Sequence, residues 1–169
     1  MTQSLNKIEI YKTACVTGHR KLRENFNEEN LEEVFYKTVK NGYRKFLIGM
    51  AIGFDSKCFK VLLKIKKEYD IKIIACIPCL NQEKNFSNKE KEEYYELLDK
   101  ADEKVYLSLE YKKNCMNLRN FYMVDNSSLV IAYLKKNKGG TFNTVSYAKR
   151  KEKEIIYIAK RHQTTDDDP

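Results

Sequence analysis

Three short stretches hold residues of the kind that grip an anion: Thr17-Gly18-His19-Arg20, the run Gly49-Met50-Ala51-Ile52-Gly53-Phe54-Asp55, and Gly139-Gly140-Thr141. Each closes an apolar run and leads toward a helical pattern. There, the first N–H groups of a helix lack intrahelical partners and the positive end of the helix dipole points outward. Glycine leaves no Cβ to hold a phosphate away, and a threonine hydroxyl adds a donor. For any one loop the plainer reading is a turn glycine with a capping Thr or Asp; three at one rim turn the balance toward an anion site. Neither the G-x-G-x-x-G spacing of a dinucleotide fold nor a Walker lysine loop occurs in the sequence.

A fourth stretch, CMNLRNFYMVDNSS from Cys115 to Ser128, sets Arg119 and Asn120 in an otherwise apolar helical pattern that Asp125 closes. A buried Arg needs an anion, so Arg119 faces either a ligand phosphate or Asp125. His19 titrates near neutral pH and suits either acid/base work or donation to a phosphate. Asp55 and Glu110 are the candidate catalytic carboxylates, each explained more readily as structural or solvent-facing. Met116 and Met123 read as core fillers. Cys76-Ile77-Pro78-Cys79 has C-x-x-C spacing, but without a second pair or a nearby His it reads as a packed strand end; no metal site is expected. The loop after Pro78 either covers a ligand, with Gln82 reaching a base or ribose, or is ordinary surface.

These residues need a scaffold, and the hydrophobic pattern supplies one. Strand-like runs occur at 13–18, 45–49, 71–77, 104–109, 129–134 and 154–159, with helical patterns at about 28–41, 55–69, 88–100, 115–125 and 141–152. Several strands are apolar on both faces, which suits a mostly parallel sheet covered on each side. The reading is a single α/β, Rossmann-like domain of about six strands over 12–159, with an extension at 1–11 and a disordered acidic tail at 160–169. In such a fold ligands sit beyond the carboxyl ends of the strands, where the three glycine loops fall.

At 169 residues the chain is long enough for one core without disulfides. The N-terminus lacks a secretory pattern, no apolar run could span a bilayer, and five cysteines are an odd number, so a cytoplasmic protein is expected. The net charge of +8 admits a nucleic-acid partner, but both signs mix along the helical stretches and Lys dominates Arg, so nucleic acid is the weaker reading.

The motifs TGHR (17–20), GMAIGFD (49–55), IPCLNQ (77–82), CMNLRNFYMVDNSS (115–128) and GTFNTVSYA (140–148) together resemble the YpsA-like family of the SLOG superfamily, over about 12–158. The resemblance implies a Rossmann-like fold with a nucleotide-related pocket, among relatives that include phosphoribohydrolases and the DprA group of single-strand DNA-binding proteins. The phosphoribohydrolase signature PGGxGTxxE ends in a glutamate that assists glycosidic cleavage, and here Thr144 stands in its place. A hydroxyl is no substitute for that carboxylate. The expected function is therefore binding, by sensing or sequestering, of a nucleotide or an NAD- or ADP-ribose-derived ligand, with no cofactor required. The contacts expected are Thr17, Gly18, His19, Arg20, Gly49, Ala51, Gly53, Asp55, Arg119, Asn120, Asp125, Gly139, Gly140, Thr141 and Thr144. The alternatives are a nucleotide N-glycosidic hydrolase or transferase, and a protein-interaction module in cell division or stress. A protein partner and a homo-oligomer are both compatible with the expected function.

Overall fold

The computed structural model describes residues 7–158, so the tail at 160–169 lies outside the described residues. A short helix α1 (Lys7–Tyr11) leads into β1 (Thr13–Gly18), followed by α2 (Glu28–Lys40), β2 (Lys45–Ile48), α3 (Phe54–Lys66) and β3 (Lys72–Ile77). A 3₁₀ turn (Gln82–Asn85) precedes α4 (Asn88–Asp99), and β4 (Glu103–Tyr106), α5 (Cys115–Asp125), β5 (Leu129–Tyr133), α6 (Gly140–Arg150) and β6 (Glu154–Tyr157) complete the chain. All six strands pair in parallel, in the order β4-β3-β2-β1-β5-β6. The fold is a single Rossmann-like α/β domain with helices on both faces.

Strand periodicity builds the two faces. Side chains alternate across a pleated sheet. Ala14 and Val16, Phe46 and Ile48, and Ile73, Ala75 and Ile77 accordingly meet Leu31, Phe35, Phe59 and Leu62 of α2 and α3 in the larger core. Their neighbours Cys15, Leu47, Ile74 and Cys76 point the other way, to Met123 and Val124 of α5 and Ala148 of α6. That double apolar demand explains the unbroken apolar runs in the sequence. The edge strands β4 and β6 are largely half-exposed or exposed. β4 ends at Tyr106 rather than at 109, and Leu109 is 74% exposed.

The topology fixes where a crevice opens. From β1 the chain moves outward through β2, β3 and β4, then returns to place β5 on the other side of β1. The loops after β1 and β5 therefore leave toward opposite faces, and the gap between them is the switch point of an open α/β sheet.

Candidate functional site

A cavity of about 1150 Å³ occupies that switch point. Its walls are Val16 to Asn25, from the end of β1 into the loop that follows, Ala51 and Asp55 from the β2–α3 junction, four residues of α5, and Lys136 to Thr141 leading into α6, Asn137 excepted. Three helices start there, α3 behind Gly53, α5 behind Asn114 and α6 behind Gly139, and none of the three has a side-chain cap. By contrast, α2 and α4 are capped. The Asn30 N–H donates to Asn27 Oδ1 at 3.0 Å, and Ser87 with Glu90 forms a reciprocal capping box. Among α2 to α6, the helix starts that carry no side-chain cap are thus the ones around the cavity.

The glycines separate into two kinds. A Cβ on Gly18 would stand 2.3 Å from the Phe54 ring, one on Gly49 would stand 2.7 Å from the Arg119 guanidinium, and one on Gly53 would stand 2.0 Å from the Arg20 carbonyl oxygen. Protein fills the space beside these three, so they serve the packing of the loops against one another. Gly139 and Gly140 have nothing within 4 Å of such a Cβ, and Gly139 holds φ at +94°. Of the three loops, only the Gly139-Gly140 turn has glycines with open space beside them.

Arg119 is buried, and its charge is satisfied from within the protein. Nη1 donates to the Gly49 carbonyl and, at 3.4 Å, to the Cys76 carbonyl; Nε donates to Asn120 Oδ1 at 2.7 Å. Burial lowers its pKa, and the neighbouring Asp55 opposes that effect. Asp125, weighed as its partner, instead accepts from the Tyr147 hydroxyl at 2.8 and 2.9 Å and lies outside the crevice lining. The Gly49 carbonyl also accepts from Gln82 Nε2 at 3.0 Å, so Gln82 braces the β2 end from within instead of reaching into the crevice.

Asp55 is buried in the first turn of α3, where its Oδ2 accepts the Ala51 N–H at 3.1 Å. Burial pushes its carboxyl from the usual 3.8 up to about 6, against the pull of Arg119, the Ala51 N–H and Arg20. His19 accepts the Lys135 N–H on Nε2 at 2.8 Å, which leaves the ring proton on Nδ1 as a donor. Desolvation, with Lys136, Arg23 and Lys135 nearby, lowers its pKa, so the imidazole stays neutral. His19 is therefore a fixed hydrogen-bond donor more than an acid/base group. Thr17 and Thr141 are buried beside the crevice.

The remaining candidates lie elsewhere. Thr144 is fully buried, and its hydroxyl donates to the Gly140 carbonyl at 2.8 Å, within α6. Glu110 is exposed after β4, three strands from β1, and is not among the crevice-lining residues. Cys79, at the end of the C-x-x-C run, has its sulfur 3.8 Å from that of Cys115, and both are buried. The sequence reading missed the basic rim: Lys21, Arg23, Lys136 and Lys138 join Arg20 around the opening. Its traces are the runs RKLR after His19 and KKNK before Gly139, which resemble any basic surface loop.

The profile of the YspA SLOG family, YpsA, matches residues 12–163. The chain belongs to the YpsA family. Among curated proteins it is similar to YoqJ of Bacillus subtilis (strain 168), an uncharacterized SPbeta prophage-derived protein, with 33% identity over 126 residues, 67% of this chain and 73% of YoqJ. Among solved structures, DprA of Streptococcus pneumoniae superposes with a TM-score of 0.64 at 17% identity, over 92% of this chain and 52% of DprA. DprA of Helicobacter pylori, solved for its single-stranded DNA binding mode, gives 0.63 at 17% identity, over 89% of this chain and 66% of that one. The YpsA-family domain thus spans about half to two thirds of the DprA chains it resembles, and at this identity the likeness is one of fold.

Proposed function

We propose that this YpsA-family domain binds a nucleotide, or a ligand derived from NAD or ADP-ribose, in the β1/β5 crevice, as a sensing or sequestering module. The convergence of three helix starts without side-chain caps on one cavity carries the proposal, because each turns the positive end of its dipole toward the same space. Side-chain charge agrees. The crevice is lined by six cationic residues (Arg20, Lys21, Arg23, Arg119, Lys136, Lys138) against two carboxylates, Glu24 and Asp55, whereas the whole chain has 32 against 24. Phosphates sit against the Gly139-Gly140-Thr141 backbone with the exposed cations at the mouth, the Asp55 carboxyl hydrogen-bonds the sugar, and His19 Nδ1–H donates.

The test is a thermal-shift and calorimetric screen with AMP, ADP, NAD and ADP-ribose, with product analysis of every hit, on the native chain and on Gly140→Ala. That substitution meets open space at a helix start, so it leaves the fold intact while placing a methyl group where phosphate would lie. A stabilising ligand recovered intact, with affinity lost in Gly140→Ala, supports the proposal. No ligand at all, or equal affinity in the variant, overturns it.

Glycosidic cleavage is the second reading, and Asp55 favours it. A carboxyl titrating near 6 beside a nucleotide site can protonate a departing base. Thr144 speaks against the family's usual route, since its hydroxyl is committed to α6. Free base and sugar phosphate among the products, lost in Asp55→Asn, would establish turnover.

A further inference from the structure

Two of the five cysteines touch. Cys58 packs in the larger core, and Cys15 and Cys76 pack in the smaller one. Cys79 and Cys115 meet each other instead, with their sulfurs 3.8 Å apart across 36 residues of chain. The pair lies behind the crevice wall. Cys115 opens α5, whose next residues Met116, Asn117, Arg119 and Asn120 line the crevice. Cys79 follows β3 and shortly precedes Gln82. Arg119 Nη1 and Gln82 Nε2 both donate to the Gly49 carbonyl, so the two thiols stand between the two segments that hold the end of β2 from within.

Both thiols are buried, yet their chain neighbours Leu80 and Asn114 are exposed. Access comes from the segment between β4 and α5. Residues 109–114 are all exposed, and the hydrogen bonds that hold them are local: the Glu110 N–H donates to Ser108 Oγ at 3.3 Å, Ser108 Oγ donates to the Glu110 carbonyl at 2.7 Å, and the Cys115 N–H donates to the Lys112 carbonyl at 3.0 Å. A segment held in this way opens at a small part of the free energy of global unfolding, and Cys115 stands at its end. Burial and then the neighbouring Cys115 raise the Cys79 pKa, while the Arg119 guanidinium pulls it the other way. A thiolate formed while the segment is open thus has a fixed cation beside it.

We infer that Cys79 and Cys115 are a reversible thiol–disulfide pair, closed by a hydroperoxide, that regulates the crevice through the start of α5. One thiolate attacks the outer peroxide oxygen, the O–O bond breaks, and an alcohol, or water from hydrogen peroxide, leaves a sulfenic acid behind. The second sulfur attacks the first, the S–S bond forms, and the S–O bond breaks to release water. Two thiols give up two electrons and two hydrogens to one peroxide. An S–S bond is about 2.05 Å long, so closure brings the sulfurs about 1.8 Å nearer. β3 lies on the side of β1 away from β5, and the pull therefore draws the start of α5 away from the β1/β5 switch point. An anion in the crevice then loses part of one helix end, about two- to fivefold in affinity. This effect on a ligand rests on the crevice reading; the disulfide itself does not.

In the experiment the native chain is treated with hydrogen peroxide, unfolded with its remaining thiols blocked by iodoacetamide, digested without reductant and mapped by mass spectrometry. The peptides of Cys79 and Cys115 are expected to be joined, lighter by two hydrogens than their sum and separated again by dithiothreitol, with Cys15, Cys58 and Cys76 alkylated. No joined peptide, or oxidation spread over all five cysteines, overturns the inference. Calorimetry with AMP, ADP, NAD and ADP-ribose on the reduced and the oxidised chain reads the regulation. Affinity should weaken about two- to fivefold on oxidation and should not respond to peroxide in Cys115→Ala, or in Cys79→Ala where the first variant does not fold. Equal affinity in the two forms of the native chain would overturn the regulation while leaving the crevice reading intact. If the reduced chain binds none of the four, the crevice reading falls and the regulation with it, and the peptide map alone upholds or overturns the disulfide.

Discussion

Replacing Asp55 by Asn should make the protein more stable at pH 8 and barely change it at pH 4. The folded chain holds the Asp55 proton up to about pH 6, whereas the unfolded chain releases it near 3.8. Between those values the native state carries the extra proton, so stability falls as pH rises from about 4 to about 6, and the whole penalty stands above that. The difference of about 2 pH units, at 1.36 kcal/mol each, comes to about 3 kcal/mol. The pull of Arg119 and the Ala51 N–H is already contained in that value, because both act on the charged form. Asn keeps an oxygen for the Ala51 N–H and removes the buried charge. Urea unfolding of both proteins at pH 4 and pH 8 gives the answer, since every other titrating group cancels in the difference. For a chain of this length the gain at pH 8 corresponds to about 6–12 °C in Tm. A stability difference that does not vary with pH, or a less stable variant at pH 8, would refute the account of Asp55 as a buried, costly carboxylate. The same variant should lose affinity for any nucleotide the native chain binds, which would show what the cost sustains.

Other substitutions separate packing from binding. Gly53→Ala combines a φ of +80° with a contact of 2.0 Å to the Arg20 carbonyl and should cost about 3 kcal/mol or more; Gly42→Ala, at φ +101° in open space, should cost only about 1 kcal/mol in the same denaturation assay. Arg119→Met removes the donors at the Gly49 and Cys76 carbonyls and leaves Asp55 without its cation, so a loss of about 2–4 kcal/mol is expected by urea unfolding, partly limited because Gln82 still serves Gly49. His19 should remain neutral with its proton on Nδ1 at pH 6.5, read from ¹⁵N ring shifts. Because its folded pKa is lowered, the stability it contributes is present above its ordinary 6.5 and is lost as pH falls through the folded value. Binding to single-stranded DNA, if it occurs through the basic rim, should fall steeply with salt and weaken in a Lys136→Ala, Lys138→Ala double variant, whereas a nucleotide held mainly by α6 should respond less.

Much of the scaffold was legible because its signals are local. The run from 71 to 77 must satisfy two cores at once, and only a covered parallel strand does so. The β4 boundary was misjudged because Leu107 and Leu109 look like strand residues, while the sheet edge offers them no second face to pack against. Long-range choices left no trace in the sequence. The His19 imidazole meets a backbone N–H 116 residues away, Cys79 meets Cys115 rather than Cys76, and Asp125 turns to Tyr147. The glycines show the same limit. All three loops read as phosphate cradles, yet in two of them the bare Cα admits Phe54, Arg119 or the Arg20 carbonyl. A sequence shows that a Cβ is unwelcome; only the fold shows whether protein or open space stands beside it.

The two carboxylates of the crevice sharpen the distinction between binding and catalysis. Under the proposed function, an anionic ligand drawn in by six cationic side chains and three helix starts would come to rest near a carboxyl whose burial pushes it up to about 6. A phosphate beside it would disfavour the charged form further, so ligand and proton uptake would be linked. A protonated Asp55 is a donor, suited to hold a sugar oxygen or a base nitrogen, and it offers no negative charge to an oxocarbenium-like centre. Glycosidic cleavage by the route the resemblance implies needs that negative charge, and Thr144, which the resemblance puts in the place of the glutamate, instead donates its hydroxyl to the Gly140 carbonyl within α6. What the crevice offers is positive potential, fixed donors and a neutralised acid, which stabilise a ground-state anion. Catalysis requires groups that favour the transition state over that ground state, and a neutral Asp55 could do so only as an acid that gives its proton to a departing base.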